Sequence, residues 1–100
     1  MLLKNSAGED ALYLASQYGH VRNVRILLEK GADVNAQGGR YGNALQAASG
    51  RGHAEVVELL LEKGADVNAQ GGKYGNALQA ASRRGHAEVV EPLLEKSAQE

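Results

Sequence analysis

The hexapeptide Gly-His-Ala-Glu-Val-Val stands at residues 52–57 and again at 85–90, an interval of 33 residues. The repetition extends well beyond six positions. Residues 41–65 and 74–98, laid over one another at that interval, differ only at Gly50/Arg83, Leu59/Pro92 and Gly64/Ser97. A more diverged copy precedes them and keeps the frame through Gly19-His20 and the run from Ile26 to Gly39. Self-similarity at this period dictates an architecture of small supersecondary units, none of which can bury its apolar face alone.

Each unit reads as two helices and a turn. In the central copy a first, Ala-rich helix is predicted from about Asn43 to Ser49, with the Asn43 side chain capping the free N–H groups of its first turn. Asp10 and Asn76 hold the same place in the other copies. Gly52 breaks the chain, and a second helix is predicted from about His53 to Lys63, where Val57, Leu60 and Leu61 follow i, i+3, i+4 spacing. Gly64 stands where a left-handed residue closes a helix. The segment from Asp66 to Gly72 places turn formers around one β-branched residue and reads as an extended hairpin. Helices shorter than about 12 residues are marginal in water, so the units must stack.

Composition narrows the function classes. The chain has no Cys, Trp or Phe, so disulfides and thiolate metal sites are excluded and the core must be built from Leu, Val, Ile and Ala. Such a core lacks the bulky aromatic lining of most small-molecule pockets, which weighs against an enzyme and against a bound cofactor. With 11 basic and 12 acidic side chains, the molecule exerts no long-range pull on nucleic acid or anionic membrane. No apolar stretch approaches the roughly 20 residues of a membrane helix, and the first residues lack the pattern of a secretory signal. The expectation is an intracellular, cytoplasmic protein that engages neither membrane nor nucleic acid.

The Gly-Ala-Asp-Val-Asn-Ala runs at 31–36 and 64–69, the 33-residue period and the second helix His53-Ala-Glu-Val-Val-Glu-Leu-Leu-Leu-Glu-Lys-Gly64 resemble the ankyrin repeat family. The resemblance covers about Asp10 to Ala98. It implies an all-α solenoid of three stacked helix-turn-helix units joined by short β-hairpin-like loops, in one domain spanning 1–100 with units at about 8–40, 41–73 and 74–100. Asn43-Ala-Leu-Gln46 and Asn76-Ala-Leu-Gln79 replace the family's usual Thr-Pro-Leu-His: Asn can serve as the cap, whereas Gln for His alters the bonding between units. The wording Gly-Gly-(Arg/Lys)-Tyr-Gly-Asn-Ala-Leu-Gln-Ala-Ala-Ser is similar to repeats of large fungal ankyrin proteins, which suggests a segment of a longer array.

The two ends are expected to differ. Asn23 stands where the later copies have Val56 and Val89, and Arg22 and Arg25 replace Glu55 and Glu58, so the first unit reads as a polar cap. In the last unit Pro92 falls inside the second helix, removing a backbone hydrogen bond at a cost of about 3 kcal/mol, and Ser97 replaces the closing glycine. The expectation there is a kinked or frayed helix, the weakest end of the stack, and a Val- and Leu-bearing face open to weak self-association.

Three candidate constellations reduce to structure. His20, His53 and His86 recur one per layer; helices in neighbouring layers lie about 8–10 Å apart, too far for equivalent residues to converge on one metal, so packing or hydrogen bonding is expected of them. Glu55, Glu58, Glu62, Glu88, Glu91 and Glu95 read as a solvated outer face. The pairs Gly38-Gly39 and Gly71-Gly72 lack the lysine and hydroxyl of a phosphate loop and read as turns. The ankyrin resemblance implies that hairpin tips and first-helix ends line a concave side, and the matching positions are Tyr18, Arg40, Tyr41, Arg51, Lys73, Tyr74, Arg83 and Arg84. Arg and Tyr are the side chains most often found as binding hot spots. The expected function is a protein-interaction scaffold whose partner, possessing an acidic surface, lies against these eight residues; the alternative is a spacer within a longer array.

Overall fold

In the computed structural model, residues 4, 5 and 8–98 are described. Six helices follow one another: α1 (Ala11–Gln17), α2 (Val21–Glu29), α3 (Ala44–Arg51), α4 (Ala54–Glu62), α5 (Ala77–Arg83) and α6 (Ala87–Ala98). The first helices of the units form one row, α3 packing on both α1 and α5. The second helices form another, α4 lying between α2 and α6, and each unit is closed by contact between its own two helices. The stack measures 33 × 25 × 22 Å. This is an all-α repeat solenoid, as the period demanded.

Local chemistry sets where each first helix begins. The carboxylate of Asp10 accepts from the Tyr13 N–H, and the amide oxygens of Asn43 and Asn76 accept from the Gln46 and Gln79 N–H groups, each at 2.8 Å. A cap of this kind stabilises a helix by about 1 kcal/mol, which matters in helices of seven or eight residues. Gly52 ends α3 in the left-handed region at φ 76°, turning the chain into α4.

Burial supplies the rest. Leu12, Leu45, Leu60 and Leu93, with Val24, Val56, Val57 and Val89, are fully enclosed and run through all three layers. Each such side chain contributes about 1.5–3 kcal/mol relative to exposure, enough to hold helices that could not stand alone. The glutamates of the second helices, Glu55, Glu58, Glu62, Glu88, Glu91 and Glu95, all face solvent as the pattern predicted.

The loops are tighter than an extended hairpin. Among the described residues there is no strand, only one bridge between Gly71 and Gly75. The tips are closed by Gly38 N–H to the Gly42 carbonyl and Gly71 N–H to the Gly75 carbonyl, both 2.8 Å, and neighbouring tips are joined by Lys73 N–H to the Arg40 carbonyl at 2.9 Å.

The ends depart from expectation in part. At the first unit Arg22, Asn23 and Arg25 are exposed, as a polar cap requires, yet Ile26 beside them is 42% exposed and borders an apolar hollow with Leu14 and Leu27. At the last unit α6 is neither broken nor frayed at Pro92: it runs continuously from Ala87 to Ala98, three residues longer than α4. Two facts account for this. Proline forfeits only its own bond to the Glu88 carbonyl, and with Ser97 in place of Gly64 nothing stops the last turn. Leu93 and Val89, both fully buried, clamp the helix on either side of the proline.

Candidate functional site

The residue three places after each cap determines how the loop is held. Tyr13, Gln46 and Gln79 are equivalent by the 33-residue interval. The Gln46 amide, fully buried, donates to the Gly71 carbonyl at 2.9 Å and lies 3.4 Å from those of Ala69 and Gly75, so it anchors the following tip from within. Tyr13 does the same work with a phenol: its hydroxyl accepts the Tyr41 N–H at 3.0 Å, and its ring lies so close under Gly39 that a Cβ there would come within 2.5 Å of it. Burial of Tyr13 pushes its hydroxyl pKa above the ordinary phenol value. Sequence reasoning noticed Gln where His is usual but did not connect Tyr13 with it; the shared register was the available signal.

On the surface these loops create, the aromatic and basic candidates fall into two clusters. Arg51, the last residue of α3, sets its guanidinium 5.8 Å from the centre of the Tyr18 ring at the end of α1. Tyr18 is 57% exposed. In the second cluster Tyr74 stacks on Tyr41 with ring centres 5.9 Å apart and planes inclined by 26°. Lys73 holds its ammonium 5.3 Å from the Tyr74 ring, and Arg84 caps the end of α5. Hydrogen bonding to the Arg84 guanidinium, reinforced by the positive charge of Lys73, lowers the Tyr74 pKa.

Tyr41 requires a correction. Expected on the partner-binding surface, it is 6% exposed, clustered with the buried Tyr13 and Ala47, stacked under the Tyr74 ring, and set against Gly50, where a Cβ would meet its ring at 3.0 Å. Its role is to support Tyr74 from below. Tyr74 has no equivalent berth, because Arg83 stands where unit two has Gly50 and no further layer follows among the described residues. It therefore remains half-exposed. Arg40 and Arg83 are exposed and stand outside both clusters; Arg51 and Arg83 also place positive charge in the last turn of a helix, where it complements the carbonyl ends. Of the eight residues the structure thus groups Tyr18 with Arg51, and Lys73 and Arg84 with Tyr74 over a buried Tyr41.

The histidines link layers. The His53 ring meets the Gln17 carbonyl at 2.9 Å and His86 meets that of Gly50 at 3.1 Å, each ring lying over the glycine that ends the preceding first helix, Gly19 or Gly52. His53 and His86 thus take the packing and hydrogen-bonding role expected of the three histidines, whereas His20 is exposed. Among the described residues no three His, Cys, Asp or Glu side chains gather as a metal site would require, and no helix is long and apolar enough to cross a membrane.

A family model for ankyrin repeats in three copies matches residues 37–100, and a second, for ankyrin repeats in many copies, matches residues 11–61. The chain belongs to the ankyrin repeat family. A search among curated proteins returned no match. Ankyrin repeats are generally protein-interaction modules, typically non-enzymatic, and this chain carries the family's layered helix pairs throughout its described length. The clusters around Tyr18 and Tyr74 lie on its loop tips and first-helix ends.

Proposed function

We propose that this ankyrin-repeat protein is an interaction scaffold that holds an acidic protein surface against Tyr18, Arg51, Lys73, Tyr74 and Arg84. The observation that carries this reading is the pairing of each cluster's cations with a tyrosine ring. A guanidinium or ammonium resting on an aromatic face loses less freedom when a carboxylate arrives, and Arg can then offer it two parallel N–H donors. Exposed positive charge also speeds encounter with an acidic partner. Arg40 and Arg83 extend the same charge at the margin.

Affinity capture from cell extract separates this surface from the rest. Arg51→Glu with Arg84→Glu is expected to deplete captured proteins that the wild type retains, while Glu55→Lys with Glu62→Lys, on the outer helices, leaves them bound. For a purified partner, the first pair of changes should act chiefly on the association rate and its salt dependence. Equal capture by wild type and the Arg51/Arg84 variant would dispose of the reading.

The second reading, a spacer that merely sets distance within a longer array, is supported by the near-identity of residues 41–65 and 74–98. Contact positions of a specific surface usually diversify between repeats, and here only Arg40/Lys73 and Gly50/Arg83 vary on that side. A spacer would capture nothing that depends on Arg51 or Arg84.

A further inference from the structure

Three residue sets, related by successive shifts of 33, describe the outer edge of each junction between layers. At the first junction Arg25 lines a shallow groove with Glu55, Glu58 and Glu62. At the second, the equivalent groove holds Glu58, Glu88, Glu91 and Glu95 around Pro92, carboxylate facing carboxylate. One further shift sets Glu91, on the last described layer, opposite the positions filled, in the first unit, by Arg22, Arg25 and Glu29. The two ends are therefore charge-complementary where the internal second junction is not.

The remaining features of a junction are also present, divided between the ends. Val57 and Leu61 of unit two are buried; their counterparts Val90 and Leu94 border an open hollow on the last unit, Leu94 being 50% exposed. On the first unit the hollow beside Leu14 and Ile26 offers the opposing apolar surface. Gly19 and Gly52 each lie under the histidine ring of the next layer, whose Nδ1 would stand 2.7 and 2.5 Å from an added Cβ. Gly85 has the same φ as Gly52 and, among the described residues, nothing within 4 Å of an added Cβ, while His20 is exposed in the first unit.

We propose that one copy of this chain docks its last unit on the first unit of another, continuing the stack head to tail, with Glu91 of one copy beside Arg22 and Arg25 of the next and His20 over Gly85. The occupant is a second copy because the contact reproduces an interface the molecule already makes twice within itself. The operation does not close on itself, so association is open-ended. Asn23 replaces the valine buried at internal junctions, so the contact is weaker than those and dissociates on dilution.

Sedimentation velocity over a concentration series tests this. The wild type is expected to grow past dimer as concentration rises and to shrink as salt is added. Arg22→Glu with Arg25→Glu blocks one end and Leu94→Asp the other; each variant alone should associate at least about tenfold more weakly, because like charges or a buried carboxylate now oppose docking. Mixed in equal amounts, the two variants should form a dimer that grows no further, since each retains the end the other has lost. Should the Leu94→Asp change loosen α6, Glu91→Arg on the surface blocks the same end. Asn23→Val should strengthen association of the wild-type sequence. A wild type that stays monomeric at every concentration, a blocked variant that still assembles alone, or a mixture that yields no dimer overturns the proposal.

Discussion

Units two and three share 22 of the 25 residues between 41–65 and 74–98, yet the two regions are not alike in structure. Tyr41 is buried and Tyr74 half-exposed; Gln46 is sealed within its layer and Gln79 faces solvent; α4 stops at Glu62 while α6 continues to Ala98. The N-caps do not differ, since Asn43 and Asn76 make the same 2.8 Å bond. Part of the difference lies in changed residues, Arg83 for Gly50 beside the tyrosine and Ser97 for Gly64 at the helix end. The rest is the next layer: in a linear stack each unit acquires its environment from its neighbours, so Gln46 is sealed while Gln79, in the same local sequence, faces solvent.

Replacing Pro92 with Leu should remove most of the intrinsic difference between α6 and α4. The substitution restores the amide that donates to the Glu88 carbonyl and relieves the ring's clash with the preceding turn, a gain of up to about 3 kcal/mol in global stability by urea denaturation. Hydrogen exchange in residues 87–98 should slow most. If stability is unmoved, the tight packing of Val89 and Leu93 already compensates for the proline, and the C-terminal unit is no weaker than its neighbour.

The two glutamines sharpen the contrast further. Gln46→Ala leaves three loop carbonyls around residues 69–75 without their buried donor, and we expect a loss of about 1–3 kcal/mol. Gln79→Ala, at the same position in an almost identical unit, should change stability by less than about 0.5 kcal/mol because its amide is in water. Equal effects in parallel denaturation series would show that the Gln46 bonds do not anchor the loop.

The sequence was informative where the physics is local or strictly periodic. Caps at Asp10, Asn43 and Asn76, the buried stripe through Val57 and Leu60, and the solvated glutamates depend on residues within one helix, so spacing alone placed them to within about two residues. The burial of Tyr41 was not legible because it depends on Gly50 nine residues on, on Tyr13 in the preceding layer and on the Tyr74 ring of the next, a set that no single unit reveals. The fraying expected of α6 is not seen for a related reason: Pro92 weakens the helix locally, while buried neighbours and Ser97 in place of the closing glycine act in the other direction. Of the candidate surface, residue types and positions were legible, but not the pairing of Arg51 with Tyr18 or of Arg84 with Tyr74, which requires knowing which layer each ring crosses into.

The smallest expected effect concerns the tyrosines themselves. Alkaline titration followed by phenolate absorbance, with ring assignments by NMR, should show Tyr74 ionising below the ordinary value of about 10 and Tyr13 above it. For Tyr74 the folded state favours the phenolate beside Arg84, so its contribution to stability is present above the unfolded value and is lost as pH falls through the lowered folded one; at neutral pH it adds nothing. For Tyr13 the folded state favours the neutral phenol, so its contribution is full below the unfolded value and disappears as pH rises through the raised one. The chain should therefore lose stability at high pH through Tyr13, with Tyr74 acting in the opposite direction. Arg84→Gln should return Tyr74 toward the ordinary value and leave Tyr13 where it was. A Tyr74 that titrates identically in both proteins would mean that Arg84 does not hold its ring, and with that the case for a pre-positioned contact surface in unit three would fail while the one at Tyr18 and Arg51 stood.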